Sequence, residues 1–342
     1  MLLNCNPQNI TLYVGTYTDG DSEGIYRLDF NIENGELSNK QLAAAFENPS
    51  FITLSANKKF IYAVSEGKIS VVSAFKLNGD GRLTFINSEN SHGKGACHVS
   101  VNESGTRTVV CNYGGGTVSI YPINKNGALG KASQVFDHNE AGEKPARVHS
   151  AKFFNDDLFI SDLGRNRFYQ YKLKNGNYQI ESESIINING NPGPRHFSIS
   201  KDGNFIYIIN EYESSITSIK KTDSGFYKID QDSTLNKTYK GNNSCADIHL
   251  SNDERFLYGS NRGENSIAVF KRNIDTGTLN KIQNISVHGD WPRNFTLDPS
   301  GKFLLVANKK SNNISVFSID NNTGKLKFLH DVKVPTPVCL LF

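Results

Sequence analysis

One stretch of the chain, GPRHFSISKDGNFIYIINE at residues 193–211, contains the unit from which the whole fold is predicted. Its first half alternates apolar and polar residues, which is the period of a β-strand. Gly203 lies in a turn where a positive φ is needed, and the apolar run 205–209 is typical of a strand buried on both faces. These features predict an antiparallel hairpin. Arg195 and Glu211 are each eight residues from Gly203, so they return to the same end of it.

The hairpin recurs along the chain, and a second repeat gives the number of copies. Hairpins of this kind begin near six positions, Pro49, Ala96, Arg147, Gly193, Cys245 and Pro292. A turn of the form Gly-x-Leu/Tyr occurs seven times, at Gly35, Gly81, Gly127, Gly176, Gly225, Gly277 and Gly324. The intervals between these glycines are 46, 46, 49, 49, 52 and 47 residues. A four-stranded unit repeated at this spacing predicts an all-β fold, a seven-bladed β-propeller with antiparallel blades.

The chain ends supply the seventh blade. Residues 10–17 are typical of a second strand that lacks a first strand before it, and residues 335–340 are typical of a first strand with nothing after it. If these two segments pair in one blade, the ring closes and no sheet edge is left open. The repeats run end to end, so residues 1–342 are predicted to form a single domain with its folded core over 10–342.

Composition excludes several classes of function. The net charge of +3 comes from 37 basic and 34 acidic residues, which are scattered, whereas a nucleic-acid binder would concentrate its basic residues on one face. No segment has the ~18 apolar residues of a membrane helix. Five cysteines without Cys-x-x-Cys spacing favour free thiols in a reducing compartment, and residues 1–5 lack the features of a signal peptide. We therefore expect a cytoplasmic protein, although export of a longer precursor is left open.

Superposed repeats place two rings of residues at one end of the hairpins. The ring from the first strands consists of Phe51, His98, His149, His196, Asp247, Asn294 and Pro337. The ring that follows the second strands consists of Tyr17, Glu66, Tyr113, Leu163, Glu211, Arg262 and Lys309. In a propeller the first strand of each blade lines the central channel, so both rings belong to one mouth of that channel. Most members are ionisable or polar, which indicates a binding or catalytic site rather than a core.

Two simpler interpretations compete with a catalytic site. A propeller channel contains water, so residues such as Glu66, Lys309 and His196 could simply be solvated. Three histidines in a ring could suggest zinc, but they lack close spacing in sequence and we expect the first strands to hold them far apart, so no metal is predicted. His249 follows Asp247 by two residues, and we expect it to face away from the channel.

The same residues carry a resemblance to a known family. The segments concerned are YVGTY at 13–17, NYGGG at 112–116, VHSA at 148–151, GPRH at 193–196, NE at 210–211 and ADIHL at 246–250. In this order and at blade spacing they resemble the seven-bladed propeller lactonases over nearly the whole chain, from Ile10 to Phe342. That family includes propeller-type bacterial 6-phosphogluconolactonases, and the fungal 3-carboxy-cis,cis-muconate lactonizing enzyme is a relative.

The resemblance implies a catalytic set of a histidine, an arginine, a glutamate and a second arginine. These fall on His149, Arg195, Glu211 and Arg262, which the two rings and their neighbours also select. For hydrolysis of a δ-lactone, the arginines would hold an oxyanion or an anionic substrate group. Either His149 or Glu211 could take the proton from water. The ordinary histidine pKa of ~6.5 favours His149, because a carboxylate between two arginines is a weak base.

The expected ligand is a phosphorylated sugar lactone, and no cofactor is expected. His98, His196, Asp247, Arg293 and Lys309 are predicted to bind this substrate, with Arg293 and Lys309 as candidates for its phosphate. The most favoured function is hydrolysis of 6-phosphoglucono-1,5-lactone by a monomer. A muconate-type cycloisomerase and a non-catalytic propeller that binds a partner on its rim remain as alternatives.

Overall fold

The structure, a computed structural model, describes residues 9–222 and 225–342, and in these residues it consists of 28 β-strands arranged in seven four-stranded antiparallel sheets. We number the sheets as blades 1 to 7. Blade 1 contains β4 (Phe51–Leu54), β5 (Phe60–Ser65), β6 (Val71–Leu77) and β7 (Leu83–Asn90). Blade 2 contains β8 (Ala96–Val101), β9 (Arg107–Asn112), β10 (Thr117–Pro122) and β11 (Gln134–Asp137). Blade 3 contains β12 (Val148–Phe154), β13 (Asp157–Asp162), β14 (Arg167–Lys174) and β15 (Asn177–Asn187).

The remaining blades follow the same order. Blade 4 contains β16 (Pro194–Ile199), β17 (Phe205–Asn210), β18 (Ser215–Thr222) and β19 (Gly225–Ser233). Blade 5 contains β20 (Ser244–Leu250), β21 (Phe256–Arg262), β22 (Ser266–Arg272) and β23 (Leu279–Ser286). Blade 6 contains β24 (Pro292–Leu297), β25 (Phe303–Asn308), β26 (Asn313–Ile319) and β27 (Leu326–Lys333). Blade 7 contains β28 (Pro337–Leu341), β1 (Asn9–Thr16), β2 (Gly24–Asn31) and β3 (Leu37–Ala45). The predicted seven-bladed propeller is confirmed.

The ring closes in blade 7 as predicted. The C-terminal strand β28 lies first in this sheet and pairs with β1, with Leu341 opposite Tyr13 and Leu340 opposite Val14. The first strands of neighbouring blades also contact one another around the ring, including β28 with β4. Both edges that an open ring would expose are therefore covered.

The hydrophobic core of the described residues lies between the blades rather than at the centre of the ring. Seven clusters of buried apolar side chains each join two neighbouring blades. The cluster between blades 6 and 7, for example, contains Phe303 and Val316 from one blade and Val14, Phe30 and Leu340 from the other. The channel is thus free to carry polar side chains.

Six of the seven repeated glycines lie in the connections that lead to the outermost strands, and the seventh, Gly225, is the first residue of the outermost strand β19. All seven have φ between 71° and 122°, a region that glycine adopts readily. In four blades the carbonyl of this glycine accepts a hydrogen bond from a tyrosine hydroxyl of the preceding blade. These bonds are Tyr13 to Gly81 at 2.9 Å, Tyr62 to Gly127 at 3.0 Å, Tyr207 to Gly277 at 2.9 Å and Tyr258 to Gly324 at 3.0 Å. The sequence repeat therefore marks a contact between blades.

Four of the five cysteines lie in the part of the chain that the structure describes. Cys97, Cys111, Cys245 and Cys339 are buried, free thiols. Cys5 and the predicted lack of a signal peptide fall within residues 1–8, outside the described residues. Over the described ranges, no helix has the length and apolar character that crossing a bilayer requires.

Candidate functional site

A β-bulge recurs near the start of the first strand in most blades. The pairing of first and second strands shifts register at five such places, which are Ala96/His98, Val148/Ser150, Pro194/Phe197, Cys245/Ile248 and Pro292/Asn294. A bulge adds a residue to one strand and re-aims side chains. It occurs at the predicted site residues, so that Arg195 and His196, although adjacent in sequence, both have buried polar contacts around the channel.

Three of the predicted catalytic residues form one ion-pair cluster at the mouth of the channel. Glu211 Oε2 lies 2.8 Å from Arg262 Nη2 and 3.0 Å from Arg195 Nε. Both contacts are close ion pairs, and Arg195 Nε is buried without a hydrogen-bond partner among the described residues. Arg262 also donates to two carbonyl oxygens on β20 of its own hairpin, at Ser244 (3.2 Å) and Cys245 (2.8 Å).

The electrostatics of this cluster keep all three groups charged. Burial raises the pKa of Glu211, but Arg262 and Arg195 outweigh burial and the net pKa is below the usual value. Burial, followed by the charge of Arg262, lowers the pKa of Arg195 to about 10, which is still above neutral pH. Glu211 is therefore an ionised carboxylate and a weak base at neutral pH.

The two residues proposed for phosphate binding lie in a second cluster built around Tyr17. The Tyr17 hydroxyl donates to Glu66 Oε2 (2.5 Å), and Arg293 Nη2 lies 3.4 Å from the same oxygen. Lys309 Nζ lies 3.1 Å from the exposed carboxylate of Asp19. Both cations are stacked over the Tyr17 ring, at 5.1 Å for Arg293 and 4.5 Å for Lys309. Burial lowers the pKa of Arg293, but Tyr17 and Glu66 more than compensate and raise it.

Three predicted histidines are brought together in the channel. The His196 ring lies 5.5 Å from the His98 ring and 5.3 Å from the His149 ring, and Phe51 packs on His98 at 4.3 Å. All three histidines are buried. Burial is the largest cause that lowers the pKa of each, to about 4 for His196 and well below the usual value for His98 and His149. The reason given for His149 as base, an ordinary pKa, is therefore wrong, and its catalytic role stays a prediction.

Asp247 lies beside this histidine group and is saturated with hydrogen bonds. Its Oδ1 accepts from His196 Nδ1 (2.7 Å) and the Ile248 amide (3.0 Å). Its Oδ2 accepts from His249 Nε2 (3.0 Å), Asn294 Nδ2 (2.5 Å) and the Phe295 amide (3.2 Å). Burial raises the pKa of Asp247, but the two histidines and these donors hold it well below the usual value.

The expectation that His249 faces away from the channel is wrong. Its imidazole contacts Asp247 and packs on the Phe295 ring at 4.8 Å. The physical reason is that side chains two residues apart in a strand point to the same face of the sheet, so Asp247 and His249 lie on the same face of β20.

The histidines lie closer together than the sequence predicts. First strands were expected to separate the histidines, but their rings are 5.3 to 5.5 Å apart. Within the described ranges, no group of three or more His, Cys, Asp and Glu side chains has an arrangement that could hold a metal ion.

Trp291 also lies at the mouth of the channel. The Arg262 guanidinium lies 5.2 Å and the Lys310 ammonium 3.6 Å from the indole ring. Trp291 has φ of 69°, unusual for a bulky residue, and its amide donates to Asn265 Oδ1 at 3.0 Å. Its position directly before Pro292 and Arg293, at the start of a first strand, was the available signal.

Comparisons with known proteins identify the family of the chain. The family model for "Lactonase, 7-bladed beta-propeller" matches residues 11–342. A 6-phosphogluconolactonase of Bacillus subtilis is 34% identical over 300 residues, covering 84% of this chain and 85% of that protein. A 6-phosphogluconolactonase of Formosa agariphila is 34% identical over 308 residues, covering 85% and 87%. The solved structure of the periplasmic gluconolactonase of Pseudomonas aeruginosa superposes with a TM-score of 0.91 at 27% identity, covering 97% and 98%. The chain therefore belongs to the seven-bladed β-propeller lactonase family.

Proposed function

We propose that this chain is a lactone hydrolase that converts 6-phospho-D-glucono-1,5-lactone into 6-phosphogluconate, a step of the pentose phosphate pathway. The observation that carries the proposal is the cluster of Arg195, Glu211 and Arg262, in which two buried guanidinium groups meet one carboxylate at the channel mouth. Relatives at 34% identity that bear the name 6-phosphogluconolactonase support this substrate.

The cluster suits the electrostatic demands of ester hydrolysis. Attack of water on the lactone carbonyl develops negative charge on its oxygen, and preorganised donors in a water-poor site stabilise that charge. An arginine has five N–H donors. Arg195 Nη1 donates to the Ala246 carbonyl and Arg195 Nε faces Glu211, whereas Arg262 donates to carbonyl oxygens through Nε and Nη2. The proposal assigns the remaining donors to the oxyanion.

In this proposal Glu211 holds the two arginines and positions water, since its low pKa makes it a poor proton acceptor. After burial, the positive charges of Arg195, Arg262 and Arg293 lower the pKa of His149, so this histidine shares the electrostatic environment of the cluster. The four residues implied by the family resemblance would therefore act around one bound lactone, as the sequence predicts.

The charge balance of the mouth favours a phosphorylated substrate. Beyond the arginine pair lie three more cations, Arg293, Lys309 and Lys310, against the carboxylates of Glu66 and Asp19. We assign Arg293 and Lys309 to the phosphate, which would compete with these two carboxylates for them. Unphosphorylated glucono-1,5-lactone is the second candidate substrate, because the similar structure from Pseudomonas aeruginosa is a gluconolactonase.

The test compares the two lactones with purified protein, with correction for spontaneous hydrolysis. Arg293→Gln and Lys309→Gln are each expected to raise KM for the phosphorylated lactone by about 10- to 100-fold, the loss typical of a charged hydrogen bond. Neither change should affect KM for glucono-1,5-lactone. Lys302→Gln, an exposed cation in the same blade, is the matched control and should change neither constant. If wild-type protein accelerates hydrolysis of neither lactone, the proposed function is wrong.

The proposal also includes three expectations from the sequence, which concern assembly, location and cofactors. A monomer, a cytoplasmic location and the absence of a cofactor remain predictions from the sequence. Size-exclusion chromatography with light scattering would test the first. Activity that is lost with a chelator and restored by one divalent ion would contradict the third.

A further inference from the structure

We propose that His196, oriented by Asp247, takes the proton from the water that attacks the lactone. This inference rests on the proposed lactone hydrolysis. It assigns the proton transfer to a residue other than the two considered from the sequence, His149 and Glu211, and it makes Asp247 a positioning residue.

The contact between the two side chains sets the tautomer of the imidazole. His196 Nδ1 lies 2.7 Å from Asp247 Oδ1. An ionised carboxylate can only accept, so Nδ1 carries the hydrogen and Nε2 carries the free lone pair. His196 Nε2 is buried and has no hydrogen-bond partner in the described part of the chain. A buried lone pair with no partner is costly for a structural histidine, whereas it suits a group that accepts a proton from bound water.

Asp247 is built to stay ionised and immobile. Besides His196 it accepts from His249, Asn294 and the amides of Ile248 and Phe295. His249 and Ile248 lie in blade 5 together with Asp247, and Asn294 and Phe295 lie in blade 6, so the carboxylate is fixed on several sides. A carboxylate held in this way keeps the histidine ring in one orientation and stabilises the imidazolium that forms.

The two alternatives are less well suited. Glu211 is in contact with two arginines, which stabilise its ionised form and weaken it as a base. His149 is as buried as His196 and its Nδ1 also lacks a partner, but among the residues described here no carboxylate lies within ion-pair distance of its ring. His196 combines a free ring nitrogen with a carboxylate that orients it.

The groups around His196 determine its charge before substrate binds. Arg195 lies on its own strand, Lys152 and His149 on β12, His98 on β8, and Asp247 on β20. Burial, followed by Arg195, lowers the pKa of His196 to about 4 in spite of Asp247. The imidazole is therefore neutral above about pH 5, and its lone pair is available over the physiological range.

His196 accepts one proton during water attack and returns it when the ring opens. The water oxygen bonds to the lactone carbonyl carbon while one water proton moves to His196 Nε2, and the carbonyl electron pair moves to its oxygen, which the arginines stabilise. The tetrahedral intermediate then collapses and the bond between the carbonyl carbon and the ring oxygen breaks. The ring oxygen receives the proton from Nε2, which leaves a hydroxyl group, a carboxylic acid and neutral His196.

The test measures kcat/KM as a function of pH for wild-type protein, His196→Gln and Asp247→Asn. In wild type, kcat/KM should rise with pH through an acid limb near pH 4 and then stay level. His196→Gln should lower kcat by about 10²- to 10⁴-fold, the contribution typical of a general base, and abolish that limb. Asp247→Asn keeps the shape of the side chain but removes the charge, so it should also lower kcat and move the limb. The affinity for 6-phosphogluconate should persist in both variants, because the arginines are unchanged.

His138→Gln is the matched control. His138 is as buried as His196, at 6% against 5% exposed, its pKa is also lowered to about 4, and its Nδ1 faces Asp162 at 3.9 Å outside the channel. This variant should leave the kcat/KM profile unchanged. A histidine ¹⁵N spectrum gives a second measurement that needs no substrate, and it should show His196 protonated at Nδ1.

The outcomes separate this inference from the proposed function. If wild-type protein hydrolyses the lactone and His196→Gln retains near-normal kcat and the acid limb, this inference is overturned but the proposed function is not. An Nε2–H tautomer of His196 in the ¹⁵N spectrum would also overturn it, even if a variant failed to fold. Absence of lactone turnover by wild type would overturn both.

Discussion

Closure of the ring by the C-terminal strand makes a quantitative prediction for Leu340→Ala. Leu340 is 6% exposed, pairs with Val14 on β1, and packs in the cluster between blades 6 and 7. The change removes three buried carbon atoms, which at ~0.8 kcal/mol each gives about 2.4 kcal/mol of transfer free energy. With the cavity left behind, we expect a loss of about 3 kcal/mol in the free energy of unfolding, within the ~2–5 kcal/mol range of such substitutions. Domains are stable by only ~5–15 kcal/mol, so this loss is large.

Urea denaturation followed by circular dichroism and by the fluorescence of the one tryptophan, Trp291, would measure the loss. The matched control is Leu329→Ala on β27, since Leu329 is the same residue type but 38% exposed on the outermost strand of blade 6. The control should cost no more than ~0.5 kcal/mol, as is usual for surface positions. Equal midpoints for the two variants would refute the reasoning. Deletion of residues 335–342 should expose two strand edges and give insoluble protein, and a soluble truncation that unfolds cooperatively would also refute it.

Further predictions concern the site, the turns and pH. Arg195→Lys should lower kcat/KM by about 10²-fold or more, since an ammonium cannot replace a fork of donors, and steady-state kinetics within a few-fold of wild type would contradict this. Gly127→Ala should lower the free energy of unfolding more than Gly142→Ala, as measured by urea denaturation. Both glycines have φ above 80°, but only at Gly127 would a Cβ lie 2.3 Å from the Phe60 ring. Equal losses in the two variants would count against packing between the blades at this position. The free energy of unfolding should fall as pH drops from ~6.5 to 4, by up to ~3 kcal/mol for His196 alone. The reason is that His196 binds a proton in this pH range when the chain is unfolded, but stays neutral when it is buried in the folded protein. Urea midpoints that rise on acidification would contradict the sign.

The repeat pattern was sufficient to predict the fold. Hairpins and turn glycines recur at nearly constant spacing, and a closed ring is the arrangement that leaves no blade incomplete. The sequence also placed Arg195, Glu211 and Arg262 together, because a hairpin returns its two ends to one place and the next blade repeats the geometry. Local rules were enough for these contacts.

The finer arrangement of the site depends on features without a sequence period. The bulges shift register by one residue, so simple alternation does not predict that both Arg195 and His196 have their polar contacts around the channel. The meeting of the histidine rings depends on the channel's width, which a single strand does not reveal. The low pKa of His149 results from burial by neighbouring blades, and no residue next to it in sequence indicates that.

The location of the apolar core has a consequence for how the substrate range of this scaffold can change. The described clusters lie in wedges between blades, whereas the channel positions have polar contacts specific to each blade. A mutational library confined to channel positions such as Glu66 and Lys309, which belong to none of the described clusters, would leave the wedge contacts untouched. Selection on such a library can therefore explore new lactones while the architecture that holds the arginines persists.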